Sequence, residues 1–145
     1  MEKNQLVNLL NEIFIPLGFK RKENDWISNN DQLLKIINLQ KSQYGKYFYI
    51  NYDFIVKGLE LTTKTHVPHR LASSERGEQQ LITNLLDLET NISDEDRLSC
   101  LKDFILKKVV SVMMSINTEH DLFEYLKKRP HLFDVPLVVK KYFNL

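Results

Sequence analysis

The fold is decided by residues 33–56, which read LLKIINLQKSQYGKYFYINYDFIV. Two runs rich in branched and aromatic residues, 33–41 and 46–56, flank Ser42-Gln43-Tyr44-Gly45, a loop whose glycine tolerates positive φ. This pattern predicts a β-hairpin. Successive side chains of a strand point to opposite faces. We therefore expect one face of the second strand to pack against helices through Phe48, Ile50, Tyr52, Phe54 and Val56, and the other face to carry Tyr47, Tyr49, Asn51, Asp53 and Ile55.

The first strand of this hairpin has apolar residues on both faces. Leu33, Ile37 and Leu39 alternate with Leu34 and Ile36, so we expect this strand to be central and covered on both sides. Upstream, residues 19–22 and 25–28 are short segments of the same kind, separated by turn-forming residues. Consecutive strands joined by short loops predict an antiparallel meander of about four strands.

Helical periodicity occurs on both sides of this predicted sheet. Apolar residues recur at three and four residue spacing over 6–14, which predicts an N-terminal helix that ends before Pro16. Downstream, the pattern predicts helices over 81–88, from Ser93 to Ile116, over 122–128 after a capping pattern that begins at Thr118, and from Pro136 onward. The expected fold is α+β, with helices packed on one sheet face, in a single domain spanning 1–145.

The connection between sheet and C-terminal helices, residues 57–80, lacks any sustained period. Pro68 lies within it and cannot donate a ladder hydrogen bond, so we predict at most a short edge strand there.

Composition narrows the functional classes. The chain has 145 residues, 43% hydrophobic and 27% charged, which is typical of a folded globular domain. A net charge of +1 argues against a basic nucleic-acid surface over the whole molecule, and one cysteine excludes an internal disulfide. The start of the chain has no signal-peptide hydrophobic region and no run is long enough to span a membrane, so we expect a cytoplasmic protein.

Three short motifs carry a resemblance to a known family. They are Leu17-Gly18-Phe19-Lys20-Arg21-Lys22, then Ile37-Asn38-Leu39-Gln40-Lys41-Ser42, then Gly45 followed by Phe48-Tyr49-Ile50-Asn51, and further on His66-Val67-Pro68-His69-Arg70 places an arginine soon after a histidine. In order and spacing the chain resembles the bacterial family called domain of unknown function 4304. It departs from the family pattern at Tyr52-Asp53 and at Pro68, where a further arginine is typical. The resemblance implies a fold and a bacterial cytoplasmic setting, and no established activity.

His66, His69, Arg70 and Glu75 form the only constellation that suggests catalysis, and an uncharacterised hydrolase is one interpretation of them. A metal site there is disfavoured, because residues three apart in an extended segment point to opposite faces. The sequence has no nucleophile elbow and no phosphate-binding glycine loop. Cys100 fits helix packing better than a reactive thiol. We therefore predict no catalytic residue, metal or cofactor.

Arg70 is the most informative polar residue of the chain. Its guanidinium can bind a carboxylate or phosphate through two parallel hydrogen bonds. The alternative is that Arg70 ties the long connection to a sheet edge through backbone carbonyls, because long loops need anchors.

Tyr47, Tyr49 and Asn51 share one strand face, and Lys35, Lys41 and Lys46 are candidates to flank them. This combination occurs on single-stranded nucleic-acid platforms, where bases stack on aromatic rings. Tyrosine is also common on ordinary half-covered sheets, which is the interpretation we favour.

Charge is unevenly distributed along the chain. The charged residues in 75–96 are mostly acidic, and those in 97–145 are mostly basic. This distribution suits a charged protein partner. The leading hypothesis is thus a non-enzymatic protein-binding module, an interaction or toxin-neutralising partner. Its predicted binding residues are Arg70, His66, His69, Tyr47, Tyr49 and Asn51. Nucleic acid and membrane are not expected as partners.

Overall fold

A computed structural model describes residues 1–59 and 65–145, and residues 60–64 of the predicted connection lie outside this description. Within these ranges five strands form one antiparallel sheet in the order β1-β2-β3-β4-β5. The strands are β1 (Lys20–Lys22), β2 (Asp25–Asn29), β3 (Leu33–Lys41), β4 (Phe48–Val56) and β5 (His69–Arg70). The predicted meander is confirmed in β1 to β4. The short edge strand β5 pairs with Asn51 and Tyr52 of β4.

The helices precede and follow this sheet, so the α+β prediction is confirmed. They are α1 (Lys3–Phe14), α2 (Arg76–Leu86), α3 (Asp94–Phe104), α4 (Ser111–Ser115), α5 (Glu119–Lys127) and α6 (Leu137–Phe143). The α2 helix begins five residues earlier than its apolar pattern predicts, because the Glu75 side chain accepts the N–H groups of Gly77 and Glu78. No helix in the described ranges has the length and apolar content to cross a membrane.

The end of α1 shows why the chain turns there. Residues 15–17 tighten into a 3₁₀ turn containing Pro16, and Gly18 follows with φ of 94°. This left-handed conformation is favourable for glycine, so the helix ends and the chain enters β1.

The core lies between the helices and one face of the sheet. On β4, Phe48, Ile50, Phe54 and Val56 are buried on this face, as the alternation predicts, and the ring of Trp26 on β2 is fully buried. The β3 strand is central in the sheet. Its opposite face is less covered than expected, because Leu34 and Ile36 are only half-buried.

The predicted long helix from residue 94 to 116 is present, with a π-helical segment at Ile105–Val110 that joins α3 to α4. Leu101, Ile105, Val109 and Met113 follow each other at intervals of four and are all fully buried. In a regular α-helix this spacing drifts by about 40° per step, because four residues exceed one turn of 3.6. The wider π turn offsets this drift and keeps all four side chains in the core.

The buried Arg97 of α3 holds the end of α2. Its Nη1 donates to the carbonyl oxygens of Leu85 and Asp87, at 2.6 and 2.8 Å, and its Nη2 donates to that of Thr90 at 2.8 Å. The last carbonyls of a helix lack intrahelical partners, and the guanidinium supplies donors for them.

Candidate functional site

One row of polar side chains crosses four strands on the sheet face opposite the helices. The register pairs Arg70 of β5 with Asn51 of β4, Asn51 with Asn38 of β3, and Asn38 with Asp25 of β2. Hydrogen bonds follow the same order. Arg70 Nε donates to Asn51 Oδ1 at 2.9 Å, Asn51 Nδ2 to Asn38 Oδ1 at 3.2 Å, and Asn38 Nδ2 to Asp25 Oδ1 at 2.8 Å. We call these four residues the polar row.

The ends of the polar row determine the orientation of both amides between them. A guanidinium only donates hydrogen bonds, so Asn51 turns its oxygen toward Arg70. An ionised carboxylate only accepts them, so Asn38 turns its Nδ2 toward Asp25. The donors of the row therefore all point the same way, from the cation to the anion, an arrangement in which successive hydrogen bonds polarise each other.

Arg70 is exposed, yet its guanidinium is held from three sides. Nε bonds to Asn51, and Nη2 donates to Gln40 Oε1 at 3.2 Å. The Tyr49 ring lies 3.9 Å from the guanidinium carbon, within the range of cation–π contact. Arg70 thus anchors β5 to the sheet, through side-chain amides instead of the backbone carbonyls that the sequence suggested. Its Nη1 has no hydrogen-bond acceptor in the described part of the chain.

A cleft of about 1200 Å³ opens beside the polar row, and its lining includes the whole row together with Asp53. Asp53 is 8% exposed, and its Oδ1 accepts the Val67 N–H at 2.8 Å. Burial raises the pKa of Asp53 to about 6, although the backbone N–H groups of Val67, Phe54 and His66 favour the charged form. Among the described residues, no group bonds to its Oδ2.

His66, predicted as a binding residue, is fully buried. Its Nδ1 accepts the Val56 N–H at 2.9 Å, so the ring is neutral and carries its proton on Nε2. Burial lowers the pKa of His66 below its ordinary value. This side chain therefore holds the returning segment against β4 from inside the protein.

His69 lies on the opposite side of β5 from Arg70. Its ring contacts those of Tyr52 and Tyr125, with centroids 4.8 and 5.6 Å away, and its Nε2 shares a 2.9 Å hydrogen bond with the Tyr125 hydroxyl. Burial, together with the nearby Arg129 charge, lowers the pKa of His69 to about 4. The ring is consequently neutral at pH 7.

The four residues of the hydrolase interpretation do not converge on one point, although His69 and Arg70 both line the cleft. His66 is in the core, His69 packs between tyrosines, Arg70 points to the other face, and Glu75 caps α2. In the described ranges, no three His, Cys, Asp or Glu side chains lie close enough to hold a metal ion. Cys100 is half-buried and packs against the core.

Tyr47 and Tyr49 contact each other edge to face, with centroids 5.9 Å apart. The expectation that Lys35 flanks them is wrong. Lys35 shares the helix-facing side of β3 with Leu33 and Ile37, where it is buried, and its Nζ donates to the Met113 carbonyl and to Asn117 Oδ1. Burial lowers the pKa of Lys35. Lys35 therefore holds the end of α4.

The sequence pattern indicated Arg70, Asn51 and Tyr49 but not their partners Asp25, Asn38 and Gln40. A signal for two of these was present in 33–41, where Asn38 and Gln40 alternate with buried Ile37 and Leu39. Polar residues at alternate positions of a central strand indicate an open face. The link to Asp25 and Arg70 depends on register, which the pattern alone does not specify.

Comparison with known families identifies the family of this chain. The model of the family described as "Domain of unknown function (DUF4304)" matches residues 10–122. The chain belongs to this family. The resemblance drawn from its sequence motifs is confirmed, and the match includes the entire polar row. No curated protein and no solved structure matches the chain. The DUF4304 description carries no activity.

Proposed function

We propose that this DUF4304 chain is a non-enzymatic binding module, whose open sheet face receives an acidic side chain of a protein partner at Arg70. The proposal rests on the way in which the Arg70 guanidinium is held. Asn51, Gln40 and Tyr49 fix its plane and occupy Nε and one N–H of Nη2. A guanidinium has five N–H groups, so the edge formed by Nη1 and Nη2 keeps donors that no described residue accepts. A carboxylate binds this edge of an arginine through two parallel hydrogen bonds.

The surroundings of Arg70 suit a protein interface. Tyrosine and arginine dominate the residues whose truncation most weakens protein complexes. A side chain that is already ordered loses less conformational entropy on binding than a mobile one.

The alternative of a hydrolase receives no such support. General acid–base chemistry needs groups within hydrogen-bond reach of one reacting atom. The side chains of His66, His69 and Arg70 instead point into the core, between two tyrosines and onto the open face. Their divergence is the reason that binding is preferred to catalysis.

The test compares four immobilised proteins in a native lysate of the source organism: wild type, Arg70→Ala, Arg70→Lys and Arg21→Lys. Arg21 is a matched control, because its Nε also bonds to a fixed oxygen, that of Glu23, and its guanidinium also lies over an aromatic ring, that of Trp26. Its neighbour Trp26 belongs to the helix-facing side of the sheet.

We expect a protein that wild type and Arg21→Lys retain equally and that both Arg70 variants bind at least about tenfold more weakly, a loss of about 1.4 kcal/mol. Arg70→Lys keeps the charge and loses the bidentate hydrogen-bonding geometry, so it separates specific carboxylate recognition from general electrostatic attraction. Equal retention by all four proteins would refute a role for Arg70. Melting curves of each variant check that the fold is intact.

A further inference from the structure

The polar row has unsatisfied capacity at both ends, and the two ends carry opposite charge. At the β5 end, Nη1 of Arg70 has no acceptor among the described residues. At the β2 end, Asp25 Oδ1 accepts from Asn38, and in the described ranges nothing donates to Oδ2. Asp25 is half-buried and lines the same cleft as Arg70. A cation at one end and an anion at the other face one continuous groove.

The length of the row sets the size of a ligand that reaches both ends. Neighbouring strands lie about 4.8 Å apart, so the three steps from β5 to β2 measure about 14 Å. An extended peptide advances about 3.3 Å per residue. Two side chains four positions apart in such a peptide are therefore separated by about 13 Å, which matches the row.

The middle of the row can bind peptide backbone. Asn38 uses one of its two N–H groups on Asp25, and the Gln40 oxygen accepts from Asn51 and Arg70, which leaves the Gln40 amide N–H groups free. These donors suit peptide carbonyls. Beside the row, Ile27 and Ile36 are paired across β2 and β3 and half-buried, and they offer an apolar strip to the side chains between the two charges.

We propose that the polar row binds an extended peptide segment that carries an acidic residue over Arg70 and a basic residue, four positions away, over Asp25. This inference rests on the proposed function and adds to it the chemistry of the partner: a segment with opposite charges at a fixed spacing, lying across the strands. A segment with acids at both positions places one carboxylate against Asp25, where like charges repel.

The experiment titrates ¹⁵N-labelled protein with four short peptides, acetylated and amidated to remove their terminal charges. The matching peptide is Glu-Thr-Val-Thr-Lys. Glu-Lys-Thr-Val-Thr has the same composition with adjacent charges, Glu-Thr-Val-Thr-Gln has the acid alone, and Glu-Thr-Val-Thr-Glu has two acids. The signals followed are Arg70 Nε–H and the side-chain amides of Asn38 and Asn51. Peptide concentrations to about 5 mM detect dissociation constants near 1 mM.

We expect the matching peptide to shift all three signals and to bind at least about tenfold more tightly than the acid-only and adjacent-charge peptides. Asp25→Asn should remove this advantage and leave acid-only binding unchanged. Asp31→Asn, which alters an exposed carboxylate of the β2–β3 loop, is the matched control and should preserve the advantage.

Two outcomes overturn the inference. If the acid-only peptide shifts Arg70 and the added lysine changes nothing, the basic residue is not recognised, while the proposed acidic contact at Arg70 stands. If no peptide shifts these signals, the row is not a peptide site. The Arg70-dependent capture described above then decides the proposed function independently.

Discussion

The backbone N–H of Val56 donates to Nδ1 of His66 at 2.9 Å, so a side chain takes the place of a neighbouring strand at the end of β4. A carboxylate oxygen of Asp53 likewise accepts the backbone N–H of Val67, in the segment that returns to the sheet. Pro68 has no N–H for a ladder bond at this edge. The segment that leads into β5 is consequently fastened by two titratable groups, and the protein's stability should depend on pH there.

The first prediction concerns His66. Its folded pKa lies below the ordinary value of 6.5, so its contribution to stability is fully present above pH 6.5 and is lost as pH falls toward the folded pKa. His66→Leu removes the acceptor and should cost about 1 to 3 kcal/mol at pH 7.5. The difference in free energy of unfolding between wild type and variant should narrow by pH 5. Urea denaturation measures it, and a constant difference contradicts the prediction.

The second prediction concerns Asp53, whose effect on stability changes with pH in the opposite direction. Its folded pKa of about 6 exceeds the ordinary 3.8, so its stabilising contribution is present below pH 3.8 and is lost as pH rises through 6. Asp53→Asn keeps an acceptor for the Val67 N–H and removes the buried charge. The variant should be more stable than wild type at pH 7.5, by up to about 3 kcal/mol, and equal to it near pH 4. Asp53→Ala, which lacks the acceptor, should be less stable than wild type at both pH values.

The third prediction tests the guanidinium at the end of α2. Arg97→Lys retains the charge and loses the planar set of donors that serves Leu85, Asp87 and Thr90. We expect a loss of about 3 kcal/mol in the free energy of unfolding, because several buried carbonyls lose their partners. The exposed Arg76→Lys on α2 is the control and should stay within about 0.5 kcal/mol of wild type. Similar losses in both variants would refute the role of Arg97.

The fourth prediction concerns nucleic acid. One face of the Tyr49 ring is covered by Arg70, and Lys35 is buried on the other side of the sheet. We expect mixed-sequence single-stranded RNA or DNA to bind no more tightly than the non-specific range of about 10⁻⁴ to 10⁻⁶ M at physiological salt. Fluorescence anisotropy checks this expectation. Tight, salt-sensitive binding that Tyr49→Ala abolishes would contradict the proposal of a protein partner and indicate a nucleic acid as the ligand.

The elements that the sequence predicted well are those specified by local patterns. The alternation in 46–56 predicted the burial of Phe48, Ile50, Phe54 and Val56 on the helix-facing side of β4, but not that of Asp53 and Ile55 on the other face. Ser93 and Thr118 marked helix starts that the structure confirms. The polar row could not be predicted from the sequence, because Arg70 pairs with Asn51 only after a connection of some twelve residues. No local pattern specifies where such a connection returns to the sheet. Lys35 and Arg97 were missed for another reason. Charged residues are rarely buried, so a buried cation is recognised only when its carbonyl partners are known.

The π-helical segment at 105–110 bears on which changes of length the long helix tolerates. A π turn accommodates one extra residue within an otherwise α-helical stretch. Deleting one residue there would restore regular α-helix and leave α3 and α4 facing the core as before. The same deletion within 94–104 would turn every later side chain by about 100°, because each residue advances the helix by that angle. Single-residue gaps among relatives should therefore concentrate at this segment, where the chain can shorten without moving Met113 out of the core.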